Sequence, residues 1–546
     1  MTAILGIKPG HDGAVALVVD GELIYSFEGE KDSFARNGPV HASLLLEAFE
    51  RAPVMPDIVA IGGWHRTLPG LRGAEHAGYS GLEPGSIRPW RMFGHDVGLH
   101  STSHERSHLF GAVAMSPFHP DEDLVVLVWE GVIGAFYRWS GRGRQIERLD
   151  VLDQPGARYA ALFGVADPAF PDRGAFPPAE YAGKLMALAG LADDQPPQPD
   201  SIAVVDSILG LRSLYPFDKS RYRRSPLHDC GIPHPELCRT ARYLSDELFA
   251  RFARAAEVLL PRGLPLVVAG GCGLNCDWNT AWRSSGLFRG VFVPPCPNDS
   301  GSAIGSAVDA WVESGGSGRL SWDVYRGAPF VSDVDPLGAG WLVRPLDVDL
   351  LSSSIDEGAV VAWVQGRCEI GPRALGHRSL LASATRPESA ARLNDIKLRE
   401  PYRPVAPVCL EDDLGRWFDD ATPDPWMLSF RRVLDPSRLP SVTHADGSAR
   451  VQSVTASSCP ALHRLLDAHR RQSGVGVLCN TSLNFNGTGF INRTSDLLHY
   501  CDWTGIDDAV IDDVWLHRDH HGLRQRDRSP RARHLVDDRE PVEVGP

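Results

Sequence analysis

The sequence predicts an α/β protein with more than one domain, and three observations lead to this fold class. At 546 residues the chain is too long for one ordinary hydrophobic core. Short apolar runs at 124–129, 266–269 and 290–293 are typical of buried strands, and each ends in a polar or glycine-rich turn. Residues 236–259 carry apolar side chains at helical spacing. Strands interleaved with helices favour α/β architecture.

The N-terminal thirty residues predict a strand, a polar turn and a hairpin. Apolar runs at 3–7 and 14–19 flank a turn that contains His11 and Asp12, and Asp20-Gly21 is a tight-hairpin signal. Actin-like ATPases and sugar kinases begin in this way and place catalytic polar groups in the first turn. Simple turn chemistry is the alternative interpretation of His11 and Asp12.

Glycine-rich stretches at 315–318 and 327–338 predict a linker, and a new apolar strand opens at 358–364. We therefore expect three segments: an N-terminal domain 1–345, a second domain 346–517 and a charged tail 518–546.

Composition restricts the possible partners. The net charge of −14 argues against a general nucleic-acid surface. No apolar run approaches the ~20 residues that span a bilayer, and the N-terminus lacks the pattern of a signal peptide. We therefore expect a cytoplasmic protein without a membrane partner. The ten cysteines show no paired metal-binding spacing and are expected to be reduced.

Residues 371–379 and 397–404 form a basic segment in this otherwise acidic chain. Arg373, Lys397 and Arg403 lie within it, among glycines and prolines that favour turns. Arginine forks pair with phosphate oxygens in a bidentate manner, so the segment predicts the wall of a phosphate pocket. A solvated surface patch is the alternative.

Two histidines predict a metal site. His104 and His108 are four residues apart, which places them on one face of a helix. Glu130 and Asp299 follow predicted strands and could complete a ligand set for iron, manganese or zinc. Ordinary surface or core histidines remain an alternative. So does an HExxH metalloprotease, because Glu105 follows His104.

A glycine-rich loop resembles a nucleotide contact. Gly270 and Gly271 would let the backbone approach a phosphate or ribose, and Asn275 could donate a hydrogen bond to it. Lys184, in a segment that precedes an apolar helix, adds a candidate cation. A common turn is the alternative interpretation of this loop.

Taken together, these motifs resemble the O-carbamoyltransferase family, which includes the cephalosporin hydroxymethyl, tobramycin and nodulation-factor carbamoyltransferases. The matching segments follow the family's order along nearly the whole chain; they are 9–13, 28–31, 104–108, 182–185, 270–275, 298–305, 371–379, 397–407 and 480–484. Segments 128–131, 156–168 and 216–227 look most similar to the cephalosporin branch.

The resemblance implies an N-terminal actin-like ATPase domain, similar to the enzyme that transfers threonylcarbamoyl to tRNA, and a C-terminal YrdC-like α/β domain. It implies that carbamoyl phosphate and ATP give carbamoyl adenylate in the C-terminal domain. The N-terminal domain would then pass the carbamoyl group to a hydroxyl of a small molecule, such as an antibiotic.

The resemblance also implies residue roles. Carbamoyl phosphate and nucleotide phosphates would contact Arg373, Lys397, Arg403, Arg450 and Ser482. A divalent metal, iron(II) first and manganese, zinc or magnesium otherwise, would be bound by His104, His108, Asp299 and Glu130. The family usually has Asp at the last of these positions. His11 would lie near the carbamoyl group, with Asp12 and Lys31 as further catalytic candidates.

Two other functions stay open at this stage: a tRNA-modifying transferase of the threonylcarbamoyl type, which the negative charge disfavours, and a nucleotide sensor without catalysis. The acceptor and the oligomeric state also stay open, with a dimer among the options.

Overall fold

The computed structural model describes residues 1–63 and 78–518, and it is α/β as predicted. The first sheet comprises β1 (Ala3–Lys8), β2 (Ala14–Val19), β3 (Glu22–Glu28), β4 (Ile58–Gly62), β5 (Arg88–Met92) and β6 (His95–Thr102). Its order is β3-β2-β1-β4-β6-β5. The first three strands form an antiparallel meander, and β4 and β6 continue the sheet parallel to β1.

The second sheet repeats this arrangement. It comprises β7 (Leu124–Trp129), β8 (Gly134–Ser140), β9 (Gln145–Asp150), β10 (Leu266–Ala269) and β11 (Val291–Phe292). The meander of β7, β8 and β9 is again followed by two strands parallel to the first, β10 and β11. This duplication agrees with the predicted actin-like architecture. It also confirms the strands expected near 124, 266 and 290.

Eight helices accompany these two sheets in the described N-terminal part. They are α1 (Ala42–Glu50), α2 (His104–Met115), α3 (Pro155–Ala166), α4 (Glu180–Ala189), α5 (Pro199–Gly210), α6 (Pro235–Leu259), α7 (Cys276–Ser284) and α8 (Ser302–Glu313). Helix α6 confirms the periodicity of 236–259. Helices α2 and α8 pack against each other between the sheets, with α8 on the first sheet and α2 on the second. Helices α3 to α6 pack around a separate hydrophobic core on the second sheet.

The described C-terminal part, up to residue 518, is built on a mixed sheet of eight strands. Its members are β12 (Trp341–Pro345), β13 (Val361–Val364), β14 (Arg378–Ser383), β15 (Ala406–Leu410), β18 (Gln452–Val454), β19 (Val477–Ser482), β20 (Asp508–Ile511) and β21 (Val514–Arg518). A separate pair is formed by β16 (Arg431–Arg432) and β17 (Ser448–Ala449). The helices are α9 (Val348–Asp356), α10 (Glu388–Ile396), α11 (Leu414–Trp417), α12 (Pro460–Ser473) and α13 (Thr494–Thr504).

The edges of this sheet bear on the predicted segments. Strand β12 pairs antiparallel with β21, so the C-terminal sheet already begins at Trp341, just before the expected division at 345. Arg518, the first residue of the expected tail, ends β21, and residues 519–546 lie outside the described residues. The domain limits and the YrdC-like assignment of the second domain stay predictions.

Within residues 1–63 and 78–518, every helix is too short or too polar to cross a bilayer.

Two glycines allow α2 and α8 to lie unusually close together. A Cβ atom on Gly305 would lie 1.7 Å from the carbonyl oxygen of Ser107, and one on Gly111 would lie 3.1 Å from the Cα of Gly305. A side chain at either position would therefore push the helices apart. This crossing fixes the distance between the start of α2 and the turn that precedes α8.

We expect Gly305→Ala to lower the free energy of unfolding by about 2–3 kcal/mol, because the added methyl group overpacks backbone that cannot yield. Chemical denaturation followed by circular dichroism measures the change. Gly183→Ala is the matched control, since an added Cβ there meets no atom within 4 Å and Ala favours helix. Equal denaturation midpoints for the two variants would contradict the packing argument.

Candidate active site

Four potential metal ligands converge where α2 begins. The Nε2 atoms of His104 and His108 are 3.1 Å apart. Glu130 Oε2 lies 3.3 Å from His104 Nε2 and 3.9 Å from His108 Nε2. Asp299 Oδ1 lies 3.5 Å and 3.3 Å from the same two atoms. The four predicted ligands are therefore brought together, and each offers one atom within 4.8 Å of the others.

Local sequence explains each position. Ser103 caps α2 by accepting a hydrogen bond from the backbone N–H of Arg106, so the helix begins at His104 and its first five residues present both imidazoles on one face. Glu130 directly follows β7, and Asp299 lies in the turn before α8. Strand ends of the second sheet and the N-termini of two helices thus meet at one point.

The donor set fits a divalent cation. Ligands about 2.0–2.3 Å from a metal are separated from one another by about 3–4 Å, which matches the spacing seen here. Burial lowers the pKa of His104, but the carboxylates of Asp299 and Glu130 outweigh burial and raise it. Burial conversely raises the pKa of Asp299, and His104, His108 and Lys8 hold it well below its usual range. A buried carboxylate, Glu130, and a partly buried one, Asp299, face two imidazoles and form a site that suits iron, manganese or zinc.

The turn between β1 and β2, which contains His11 and Asp12, borders this site. Lys8, which sequence analysis did not single out, ends β1 and places Nζ 3.3 Å from Asp299 Oδ2 and 3.0 Å from the carbonyl oxygen of His11. Asp12 accepts hydrogen bonds from the amides of Asn37 and Asn298, the latter adjacent to Asp299. The His11 side chain is 57% exposed, with Nε2 3.8 Å from Asp12 Oδ2. His11 and Asp12 therefore lie at the rim, where a substrate can reach the imidazole.

The metalloprotease interpretation is wrong for this site. Glu105, its required base, accepts hydrogen bonds from Tyr137 (2.5 Å), Arg148 (2.9 Å) and the backbone N–H of Gly81 (2.8 Å). The carboxylate is fully buried and both oxygens are occupied. It cannot serve as the general base that activates water.

Lys31 is not part of the metal cluster. Its buried ammonium donates a hydrogen bond to the carbonyl oxygen of Gly371 (2.7 Å) and lies 3.5 Å from Glu28 Oε2. Glu28 Oε1 in turn accepts a hydrogen bond from the backbone N–H of Gly371 (2.6 Å). Lys31 and Glu28 thus bind the backbone carbonyl and N–H groups of Gly371, the first residue of the basic segment. The catalytic role predicted for Lys31 stays a prediction.

A second, cationic centre lies in the C-terminal part, which we call the cation cluster; it consists of Arg373, Lys397, Arg399, Arg403 and Arg450. Burial and the positive charge of Arg373 lower the pKa of Arg450 to about 9. Burial and Arg399 lower the pKa of Lys397 well below its usual range. Sequence analysis did not assign Arg399 to the site.

Carboxylates compensate this charge poorly. The Nε atoms of Arg373 and Arg450 are buried without a hydrogen-bond partner. Lys397 donates to the carbonyl oxygens of Ser482 (2.6 Å) and Asn484 (3.0 Å), which are neutral acceptors. Glu400 lies at the edge, 3.8 Å from Arg403 and 3.2 Å from the predicted cation Lys184. Partly buried cations that repel one another and retain unused donors form a site for an anion such as phosphate.

The glycine-rich loop lies between the two centres. Arg373 donates to the carbonyl oxygen of Leu274 (2.7 Å), which links the loop to the cation cluster. Gly270 has φ +91°, and a Cβ there would lie 2.4 Å from the carbonyl oxygen of Trp129, beside Glu130. The Asn275 side chain caps α7 by accepting from the backbone N–H groups of Asp277 and Trp278. Its oxygen is therefore engaged, and nucleotide contacts by Gly270, Gly271 and Asn275 stay predictions.

The family models and the similar curated proteins agree with one another. Family models described as carbamoyltransferase C-terminus and carbamoyltransferase N-terminus match residues 352–518 and 255–308. The 3'-hydroxymethylcephem-O-carbamoyltransferases of Amycolatopsis lactamdurans and Streptomyces clavuligerus are each 50% identical, covering 94% of this chain and 99% of their own. Nodulation protein U of Sinorhizobium fredii is 34% identical, covering 93% of this chain and 98% of its own.

Among solved structures, the activator of the 2-hydroxyisocaproyl-CoA dehydratase from Clostridium difficile covers 57% of this chain and 96% of its own, at 12% identity and a TM-score of 0.33. Similarity at this level supports no functional conclusion.

We expect His104→Ala and His108→Ala each to lower metal content by at least half, because each removes one arm of the chelate. Glu130→Gln should also lose metal, and Glu130→Asp should lose less, since it keeps the charge. Elemental analysis of purified protein measures the content. His119→Ala is the control, since this histidine is 56% exposed and lies outside the cluster. Unchanged metal content in both His104→Ala and His108→Ala would contradict the assignment of this metal site.

We expect Arg450→Met to raise the melting temperature by about 2–4 °C in buffer free of multivalent anions, because it relieves repulsion in the cation cluster. The pKa of about 9 keeps Arg450 charged at pH 7, so the repulsion is fully present there. Millimolar pyrophosphate should raise the melting temperature of the wild type more than that of the variant. The control is Arg464→Met, whose exposed side chain pairs with Asp513. A lower melting temperature for Arg450→Met in both buffers would contradict this.

Proposed function

The chain belongs to the carbamoyltransferase family, and on this premise we propose that it is an ATP-dependent O-carbamoyltransferase with two reaction centres. The cation cluster would form carbamoyl adenylate from carbamoyl phosphate and ATP. The four-ligand centre would transfer the carbamoyl group to an acceptor hydroxyl. One observation carries this division: the described residues contain a partly buried cation cluster with unused N–H groups and few nearby carboxylates and, separately, two imidazoles facing two carboxylates.

The first centre suits the handling of phosphates. Carbamoyl phosphate would lose its phosphate to water, and an oxygen of the resulting carbamate would attack the α-phosphorus of ATP with release of pyrophosphate. Negative charge spread over the transferring phosphoryl group is stabilised by fixed cations. Arg373 and Arg450 bring unused N–H groups and Arg403 brings further charge, while a bound phosphate would favour the protonated form of Lys397. Ser482, whose hydroxyl donates to Asn484 Oδ1 (2.7 Å), lies where Lys397 is anchored.

The second centre suits transfer to an alcohol. The acceptor oxygen would attack the carbamoyl carbon, the bond to the adenylate oxygen would break, and AMP would leave. A divalent cation, iron(II) first among the candidates, would be bound by His104, His108, Glu130 and Asp299 and would polarise an oxygen of the reactants. His11 is exposed at the rim and can take the hydroxyl proton, with Asp12 stabilising the imidazolium. Lys8 would keep the charge of Asp299 fixed beside the first turn.

The acceptor class is proposed from the relatives. Both cephem enzymes are 50% identical along 94% of this chain, so we propose a hydroxymethyl group on a cephem-type β-lactam as the acceptor. A carbamoylation assay with this acceptor, ATP, carbamoyl phosphate and Fe(II), read by mass spectrometry for the gain of one carbamoyl group, tests the proposal. Absence of that product under all metal conditions would refute the acceptor assignment.

The two half-reactions should separate by variant. We expect Lys397→Ala to reduce pyrophosphate release by about 10–100-fold, since it removes a charge-assisted contact worth about 1.5–3 kcal/mol. His108→Ala should still release pyrophosphate and yield little carbamoylated acceptor. Synthetic carbamoyl adenylate should restore transfer in Lys397→Ala and not in His108→Ala.

The controls for this separation are Arg464→Ala and His119→Ala, which remove an exposed cation and an exposed imidazole outside both centres. The division into two centres would be untenable if His108→Ala stopped pyrophosphate release while its circular dichroism spectrum stayed that of the wild type.

A further inference from the structure

A short segment is tied to the start of α2. We call residues 78–82 the α2 strap. All five of its hydrogen bonds to α2 or its N-cap use residues 103–106: His104 N to Gly78 O (3.2 Å), Glu105 N to Tyr79 O (3.0 Å), Ser103 Oγ to Gly81 O (2.6 Å), Gly81 N to Glu105 Oε2 (2.8 Å) and Arg106 Nη1 to Leu82 O (2.6 Å). The strap is therefore attached to the first turn of α2, which carries His104.

This strap brings one phenol to the ligand cluster. The Tyr79 ring stacks on the His104 imidazole with centroids 4.4 Å apart and an angle of 28° between planes. Its hydroxyl donates a hydrogen bond to Glu130 Oε1 (2.8 Å). The backbone N–H of Ile133 donates to the same oxygen (3.1 Å). Tyr79 thus contacts two of the four candidate ligands at once.

The two oxygens of Glu130 consequently differ. Oε1 accepts from Tyr79 and Ile133, whereas Oε2 faces the imidazoles at 3.3 Å and 3.9 Å. A carboxylate can turn about the bond to its side chain and offer both oxygens to a cation, and the longer side chain of a glutamate gives it more freedom to do so than an aspartate has. Two donors on one oxygen oppose that turn, and hydrogen bonds to ligands commonly set ligand geometry and metal affinity.

We propose that Tyr79 is a positioning residue that fixes Glu130 as a one-oxygen metal ligand and restrains the His104 ring. The inference rests on the metal site of the proposed function. It explains how a glutamate serves in this centre: the longer side chain reaches the phenol with one oxygen and the cation with the other. The α2 strap makes this arrangement part of the helix start, so the ligand and its orienting donor keep one geometry.

Tyr79→Phe tests the inference, because it keeps the stacked ring and removes only the donor. The probe is Co(II), bound to metal-free protein and followed by competition titration and visible absorption. We expect the dissociation constant to rise about 10–100-fold. We also expect the d–d bands to weaken, because Glu130 then offers both oxygens and the coordination number increases.

Tyr137→Phe is the matched control. Its phenol also donates to a buried glutamate of this region, Glu105, which is not a ligand. Cobalt affinity and spectrum should stay those of the wild type in this variant. Melting temperatures of both variants separate a metal effect from loss of folding.

A double-mutant cycle distinguishes positioning from general damage. In the Glu130→Asp background the shorter side chain cannot reach both the phenol and the cation, so Tyr79→Phe should change cobalt affinity less than twofold there. A 10–100-fold effect in both backgrounds would show that Tyr79 acts otherwise than through Glu130 and would overturn the inference.

Equal affinity and equal spectra for the wild type and Tyr79→Phe would also overturn it, while the metal site itself would stand. If the wild-type protein binds no cobalt, both the metal site and the role of Tyr79 are contradicted. These measurements contain no ATP, carbamoyl phosphate or acceptor, so their outcome is independent of whether the chain transfers a carbamoyl group.

Discussion

The close approach of α2 and α8 is the constraint on which the candidate active site depends. The two histidines belong to the first helix, and Asp299 belongs to the turn that leads into the second. Gly111 and Gly305 let the backbones nearly touch, so ligands almost two hundred residues apart in sequence converge to within hydrogen-bonding distance. The duplicated sheets on either side serve as the frame: one supplies Glu130 at the end of β7, the other supplies Lys8 at the end of β1.

The two centres have opposite electrostatic characters, and each agrees with its proposed chemistry. The four-ligand centre has one buried and one partly buried carboxylate, which are neutralised by imidazoles and Lys8, so it is prepared for a cation. In the cation cluster, burial and mutual repulsion lower the pKa of Arg450 and Lys397, so the cluster is prepared for an anion. Keeping these centres apart prevents the metal ligands from pairing with the arginines, which would leave neither centre able to bind its partner.

Periodicity and strand ends made part of this site predictable from sequence. The spacing of His104 and His108 placed both on one helix face, and Glu130 and Asp299 were recognisable as acidic residues following apolar strands. Lys8 carried the same signal, a polar residue ending a strand, and could have been found. Asn275 precedes a helix and could have been recognised as its cap. Tyr79 could not, because its contact with Glu130 joins positions 51 residues apart and no local pattern marks it. The engagement of Glu105 by Tyr137 and Arg148 was likewise invisible, since it is set by tertiary packing.

The contacts of Glu28 and Lys31 with Gly371 restrict how the two halves of such enzymes can be exchanged. The residue that they hold begins the loop bearing Arg373, and Ile370 and Leu375 beside it are buried in the N-terminal hydrophobic core. A chimera that exchanges the C-terminal half near residue 345 must therefore preserve this peptide and its apolar neighbours, or it leaves a buried charge pair without its backbone partners. The position at which two chains can be joined is therefore restricted by this loop, and the linker predicted from the sequence does not indicate that restriction.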